Sequence, residues 1–233
     1  MSDAAACCSC CEPVNQKADA MDSYTGTMAP ELEAVRNVGF GLIYETNAPV
    51  PLSAMASRIG SPREEIEDRL LQIERFGRAR LDESGNLVGI AGLSLEATPH
   101  AIKIDGSEFW TWCALDAVGI FTALGATGTV TSTSPGSEHA LEIGFTDGDT
   151  DSDIALFIAA GYDGVDVFGS WCPNINFFST SKQAKAWAAQ TGLDGDVVSI
   201  PEVSEAASAI WAAVVDGAAA KERSQGSQRG RHI

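Results

Sequence analysis

A short apolar stretch, Trp110 to Val118, constrains the fold more than any other part of the sequence. It carries a thiol, Cys113, and a carboxyl, Asp116, three positions apart at the predicted opening of an apolar helix. On a helix this spacing puts both side chains on one face, close enough to share a proton or a ligand. A second cysteine, Cys172, lies far along the chain. A fold that brings Cys172 to the pair would create a soft-metal site of two thiols and one acid.

The same residues also fit an interior without chemistry. A buried cysteine is most often a small hydrophobe, and Cys-x-x-Asp occurs by chance in many helices. A disulfide between Cys113 and Cys172 is a further structural alternative. The spacing alone therefore leaves catalytic and structural roles open.

Composition excludes several classes of function. The 233-residue chain is 45% hydrophobic, and it contains no run of about eighteen apolar residues, so we expect a globular protein that does not span a membrane. A net charge of −17 would repel phosphates, which argues against a nucleic-acid surface. The N-terminus lacks the basic and apolar regions of a signal peptide, so we expect a cytoplasmic location.

The remaining pattern predicts an α+β protein in two parts. Residues 29–97 are predicted to form three helices and a hairpin turning at Ser84-Gly85, which is the order of a winged-helix unit. The third helix is rich in acids, which is a poor charge for reading DNA, so we expect a structural role. Residues 98–220 are predicted to form a mixed or antiparallel sheet with packed helices. Residues 221–233 are predicted to form a basic, disordered end.

Local sequence signals predict the conformation of two short segments. Ser61 and Pro62 predict a helix with a serine cap and a proline in its first turn. Val165 to Phe168 is predicted to be a strand that runs into a tight loop at Cys172. Pro173 favours an extended conformation for the cysteine before it, which would leave the sulfur free to face a pocket.

Two separated motifs resemble one enzyme family. Trp112-Cys113-Ala114-Leu115-Asp116, followed by Phe121-x-Ala123-Leu124-Gly125, is similar to the active-site segment of the organomercurial (alkylmercury) lyases. Cys172, followed by Phe177-Phe178-Ser179 and then Ala186-Trp187-Ala188, resembles the second catalytic cysteine of that family and the helix after it. Two motifs in the right order are more specific than either one alone.

The likeness extends from about Glu31 to about Ile210 and implies protonolysis of the carbon–mercury bond, giving a hydrocarbon and Hg(II). It implies that Cys113 takes the organomercurial substrate, that Cys172 adds a second sulfur ligand and that Asp116 moves the proton. It further implies no cofactor, Hg(II) as bound product, exogenous thiols for turnover, and small thiols or a mercuric reductase as the Hg(II) acceptor. Candidates for an apolar pocket wall are Trp112, Phe177 and Phe178.

Four of the six cysteines crowd into an N-terminal segment, residues 1–28, that is predicted to be a disordered tail. They stand too close together to wrap one zinc ion tetrahedrally, whereas soft two-coordinate ions make less demand on geometry. We therefore expect a candidate mercury-capture cluster; a passive extension is the alternative. The four residues are Cys7, Cys8, Cys10 and Cys11.

Two other functions serve as alternatives. A winged-helix metal-sensing regulator would bind its promoter with an affinity that falls steeply with salt. A thiol redox protein usually needs a Cys-x-x-Cys pair in the folded part, which this sequence lacks. Only the lyase hypothesis predicts that a hydrocarbon is released.

Overall fold

The structure is a computed structural model that describes residues 28–137, 139–161 and 165–229, with side chains as far as Asp216. Within these residues the chain combines helices with two antiparallel sheets. This arrangement confirms the α+β class expected from the sequence. Among the described helices, none has both the length and the apolar character needed to cross a membrane.

Three helices come first, in the predicted order: α1 (Pro30–Thr46), α2 (Leu52–Ile59) and α3 (Arg63–Arg75). The predicted serine cap of α3 is wrong by one residue. Pro62, at φ −55° and ψ 147°, occupies the cap position, and no side chain caps the helix. The reason is that the fixed φ of proline suits the residue that enters a helix, and proline has no N–H group to leave unsatisfied.

A seven-stranded antiparallel sheet follows, with the predicted hairpin at one edge. Its strands in chain order are β1 (Ala79–Leu81), β2 (Leu87–Ile90), β3 (Leu93–Ser94), β4 (His100–Ile104), β5 (Ser107–Thr111), β6 (Gly128–Thr133) and β7 (Ala140–Phe145). In space the order is β1-β2-β3-β5-β4-β6-β7. Because β3 pairs with β5, one sheet crosses the predicted boundary at residue 97. The winged-helix interpretation of residues 29–97 stays a prediction.

The second half adds helices and a small sheet of three antiparallel strands in the order β10-β8-β9. The elements are α4 (Ala114–Leu124), β8 (Ala155–Ala159), β9 (Asn176–Phe178), α5 (Ser181–Thr191), β10 (Gly195–Ser199) and α6 (Ile200–Arg229). The last helix runs past residue 220 into the segment predicted to be a basic, disordered end. Lysine, glutamate, arginine and glutamine in that stretch are good helix formers, which explains the extension.

Helix α4 is the centre of the core. Every residue from Ala114 to Phe121 is buried, and the helix contacts α6 as well as strands β4, β5, β8 and β9. A helix that is apolar on all sides is stable in water only when it is enclosed in this way. The beginning of α4 therefore lies in the interior, between the two sheets.

Candidate active site

Cys113 is the residue that caps α4. Its backbone is extended (φ −146°, ψ 173°), and the helix begins at Ala114. The Cys113 N–H group donates a hydrogen bond of 2.8 Å to Oδ2 of Asp116, within a capping-box arrangement. The predicted helix opening is confirmed, but Cys113 stands just outside the helix. The thiol and the acid therefore meet through the cap rather than on one helix face.

Cys172 lies in a tighter conformation than the sequence predicts. Val167–Trp171 forms a π-helical turn, and Cys172–Asn174 forms a 3₁₀ turn. Cys172 has φ −53° and ψ −39°, so the predicted strand and the predicted extended cysteine are both wrong. The Cys172 N–H group bonds to the Val167 carbonyl, and its carbonyl accepts from Ile175 at 3.0 Å. These two hydrogen bonds outweigh the preference imposed by Pro173.

Contacts with the segment after α3 hold this turn in place. The Val167 N–H group donates to the Phe76 carbonyl at 3.0 Å, and Asp166 Oδ1 accepts from the Gly169 N–H group at 2.8 Å. Gly77 has φ 62°, and a Cβ atom built on it would lie 1.9 Å from Asp166 Oδ1. Only glycine combines this backbone conformation with so close an approach.

The fold brings together the three residues that the sequence singled out. The sulfur atoms of Cys113 and Cys172 and a carboxylate oxygen of Asp116 all lie within 4.8 Å of one another, and all three residues are buried. Both cysteines are free thiols, so the disulfide alternative is wrong in this structure. Two sulfurs and one oxygen converging in this way form a soft-metal site.

Burial governs the electrostatics of the site. It raises the pKa of the Cys113 thiol well above its usual range, helped by a hydrogen bond with Cys172 and by the charge of Asp116. The hydrogen bond with Cys113 lowers the pKa of Cys172, but burial and the charge of Asp116 raise that pKa overall. Arg78 acts in the opposite direction and lowers it. Both thiols therefore hold their protons until a ligand displaces them.

A cavity of about 200 Å³ borders the segments that carry the two cysteines. Trp112, which precedes Cys113, and Val167, which begins the turn before Cys172, both line it. The wall also includes the guanidinium-bearing residues Arg36 and Arg78. The indole nitrogen of Trp112 is buried and has no hydrogen-bond partner among the described residues.

The other two residues proposed for a pocket wall lie elsewhere in the core. The Phe177 ring meets His100 edge to face, with ring centres 5.8 Å apart, and the Phe178 ring lies against Trp187 at 5.4 Å. Neither phenylalanine is among the described residues that line the cavity. The candidate capture residues, Cys7, Cys8, Cys10 and Cys11, lie outside the described part of the chain.

Sequence reasoning missed the residues that enclose the acid. A Cβ atom built on Gly92 would lie 2.2 Å from Oδ1 of Asp116, and the indole of Trp211 donates to the Ala91 carbonyl at 2.9 Å. A glycine between apolar runs signals a turn, but it does not indicate which side chain the turn faces. Contacts of this kind between distant residues leave no periodic signal in the sequence.

Comparison of the chain with known proteins identifies its family. A family model described as MerB, alkylmercury lyase, matches residues 93–212, which is just over half of the chain. An alkylmercury lyase of Staphylococcus epidermidis is 30% identical over 146 residues, covering 61% of this chain and 66% of the relative. An alkylmercury lyase of Pseudomonas putida is 27% identical over 144 residues, covering 60% and 66%.

The chain thus spans slightly less than two thirds of the length of these two curated relatives. In three dimensions it is similar to a crystal structure of the mercury-bound form of MerB2, with a TM-score of 0.75 and 16% identity over 85% of this chain and 99% of that one. The structural likeness shows a shared fold, and the family model matches the region that holds all three site residues. This chain therefore belongs to the alkylmercury lyase family.

Proposed function

We propose that this protein is an organomercurial lyase that protonates the carbon–mercury bond and yields a hydrocarbon and Hg(II). The observation that carries the proposal is the buried cluster of Cys113, Asp116 and Cys172, with ligand atoms within 4.8 Å of one another. Thiolates are the ligands that soft mercury prefers, and a carboxyl suits proton transfer. Membership of the alkylmercury lyase family supports the same activity.

The first step is capture of the substrate by Cys113. An organomercurial arrives as R–Hg–X, where X is a thiolate or another displaceable ligand. The Cys113 sulfur bonds to mercury, and its proton leaves with X as HX. The raised pKa of Cys113 means that the thiol gives up this proton only as mercury binds, because metal ions displace protons from their ligands.

The second step moves a proton to carbon. The Cys172 thiol passes its proton to the carboxylate of Asp116, and the resulting thiolate bonds to mercury. The protonated acid then gives that proton to the carbon, which keeps the electron pair of the carbon–mercury bond and leaves as R–H. Asp116 ends as a carboxylate, and Hg(II) stays between the two sulfurs. The oxidation state of mercury does not change, so the step requires no cofactor.

Release of the product requires a soft ligand from outside. Small thiols or a mercuric reductase are the proposed Hg(II) acceptors, because thiolate exchange can replace the two sulfurs one at a time. We place the reaction in the cytoplasm, where small thiols are kept reduced. The tail cysteines Cys7, Cys8, Cys10 and Cys11 are the proposed capture residues.

The organic group requires an apolar surface beside the sulfurs. Trp112 supports this role, because it precedes Cys113 and lines the cavity. Phe177 and Phe178 support it less directly, since their rings are fully buried and contact His100 and Trp187. Of the three predicted wall residues, Trp112 is therefore our preferred contact for the alkyl or aryl group.

Release of gas tests the proposal. Purified, fully reduced protein is mixed with phenylmercury and excess small thiol, and benzene is measured in the headspace by gas chromatography. We expect catalytic benzene release that stops in Cys113→Ser and in Cys172→Ser. A matched variant with serine at all four tail cysteines should capture mercury more slowly yet keep its turnover at saturating substrate. Wild-type turnover in both Cys113→Ser and Cys172→Ser would refute the assignment.

A further inference from the structure

The carboxyl of Asp116 is enclosed by residues distant in sequence. Its Oδ2 atom accepts the Cys113 N–H group at 2.8 Å, and the backbone of Gly92 covers its other side. A Cβ atom built on Gly92 would lie 2.2 Å from Oδ1 and 2.4 Å from Cγ of the acid. Because Gly92 also has φ 81°, only glycine allows the chain to pass this close to the carboxyl.

Gly92 belongs to a two-residue turn with an unusual backbone. Ala91 and Gly92 connect β2 to β3, and both have positive φ, 51° and 81°. Positive φ at both positions matches the type I′ geometry favoured by two-residue hairpins, but alanine is strained there. Such strain persists only where surrounding contacts fix the backbone. Two hydrogen bonds do so: the Trp112 N–H group donates to the Gly92 carbonyl at 3.0 Å, and the indole of Trp211 donates to the Ala91 carbonyl at 2.9 Å.

The same indole touches the helix that bears the acid. Trp211 is buried on α6, and a Cβ atom built on Gly119 would lie 2.1 Å from its Cε3 atom. Gly119 is three residues after Asp116, about one turn further along α4. One rigid ring therefore contacts both the helix that carries the carboxyl and the turn that covers it.

We propose that Trp211 is a positioning residue for Asp116: by bonding the Ala91 carbonyl and packing on Gly119, it fixes the spacing between the Gly92 backbone and the carboxyl. This inference rests on the proposed function, because it assigns Trp211 to the step in which Asp116 protonates carbon. A carboxyl enclosed in this way keeps the orientation that proton transfer requires. We therefore expect loss of this contact to slow bond cleavage and to leave mercury binding by the two sulfurs largely unchanged.

Replacement of Trp211 by phenylalanine separates the two contacts. Trp211→Phe keeps an aromatic ring beside Gly119 and removes the N–H group that holds Ala91. We expect single-turnover benzene release to slow by about 10- to 100-fold, while Hg(II) affinity, measured by thiolate–mercury absorption, stays within about twofold. Trp187→Phe is the matched control, because Trp187 packs on Phe157 and Phe178 and should retain the wild-type rate. All variants carry serine at the four tail cysteines, so that only the two core thiols bind mercury.

Substitution of the turn glycine provides an independent variant. Gly92→Ala places a methyl group against the Asp116 carboxyl and adds the strain of φ 81°. Gly85→Ala is its matched control, because Gly85 has φ 76° and a Cβ atom built on it would meet none of the described residues within 4 Å. We expect Gly92→Ala to lose the same order of rate as Trp211→Phe, and Gly85→Ala to lose stability without a change in rate.

The carboxyl itself gives a readout that does not depend on turnover. In protein labelled with ¹³C at aspartate carboxyl groups, the Asp116 signal is identified by its absence from Asp116→Asn. A changed Asp116 signal in Trp211→Phe supports positioning. If wild-type protein released no hydrocarbon, the proposed function would fail, and this signal would still decide the positioning claim. An unchanged signal with a rate within about twofold of wild type overturns the proposal, as does a parallel loss of rate and Hg(II) affinity, which would indicate general loosening.

Discussion

The two cysteines of the site are held in different ways. Cys113 is placed by its own neighbours: it follows β5, caps α4 and donates its N–H group to Asp116, three residues away. Cys172 is placed by distant residues, because the turn before it bonds to the segment after α3, at Phe76 and Gly77. One half of the site is therefore local in sequence, and the other half depends on the tertiary fold.

This difference indicates where each half is vulnerable. A capping box forms from residues within one turn, so its hydrogen bond between Cys113 and Asp116 should survive changes in the segments that hold Cys172. The π-helical turn at Val167–Trp171 uses a rare geometry that often occurs at functional sites. Its position relies on contacts from the first part of the chain, so changes far from Cys172 should reach it.

The variant Gly77→Ala tests most strongly whether distant contacts position Cys172. The added methyl group would lie 1.9 Å from Asp166 Oδ1 and 2.9 Å from the Val167 nitrogen, and alanine would also be strained at φ 62°. We expect a loss of about 3 to 5 kcal/mol in the free energy of unfolding, together with weaker Hg(II) binding. Urea denaturation and mercury titration measure the two effects.

Gly60→Ala serves as the control for backbone strain alone. Gly60 has φ 78°, and its added methyl group would meet no atom of the described chain within 4 Å, so the change should cost only about 1 kcal/mol. Equal losses in Gly60→Ala and Gly77→Ala would contradict the claim that contacts with the Asp166 segment position the second cysteine.

The pH dependence of the free energy of unfolding tests the packing near Cys172. His100 packs against Phe177, which follows Cys172 in β9, and burial lowers the pKa of His100 from 6.5 to about 4. Its neutral ring therefore favours folding above pH 6.5, and this contribution is lost as pH falls towards 4. We expect it to amount to about 3 kcal/mol between pH 7 and pH 4. Between pH 7 and pH 4, the free energy of unfolding of His100→Gln should therefore change by about 3 kcal/mol less than that of the wild type. Identical pH dependence in the two proteins would contradict the role assigned to His100.

A smaller effect is expected at the cap of the π-helical turn. Asp166→Ala removes the acceptor of the Gly169 N–H group and should cost about 1 kcal/mol. It should also let a disulfide reagent reach Cys172 faster in protein with serine at the tail cysteines. Asp82→Ala is the control, because Asp82 accepts N–H groups of Ser84 and Asn86 in the hairpin. Equal thiol reactivity in the two variants would exclude a role for the cap.

Sequence reasoning succeeded where the signal was local or carried by a family motif. The three N-terminal helices and the hairpin at Ser84-Gly85 follow from periodicity and turn residues. The proximity of Cys113 and Asp116 follows from their spacing, although the two residues meet through the helix cap rather than on one helix face. The family resemblance pointed to Cys172, and the fold brings it to that pair.

The failures share a physical cause, which is the dominance of tertiary contacts over local preference. Pro173 disfavours a helical conformation at Cys172, yet hydrogen bonds to Val167 and from Ile175 impose one. Strand β5 (Ser107–Thr111) is not predicted from the sequence, because its apolar residues continue into those of α4 and indicate the opening of that helix instead. The contact between Trp211 and Ala91 joins residues 120 positions apart, a separation that no local pattern encodes.

The most direct test of the central claim is the mass of the protein after one equivalent of phenylmercury. Asparagine at position 116 can still accept the Cys113 N–H group, so Asp116→Asn keeps the cap and both thiols while losing the proton donor. With serine at the four tail cysteines, native mass spectrometry should find Hg(II) bound to the protein that keeps Asp116 and intact phenylmercury bound to Asp116→Asn. Recovery of Hg(II) without its phenyl group from Asp116→Asn at the wild-type rate would contradict our account of the reaction.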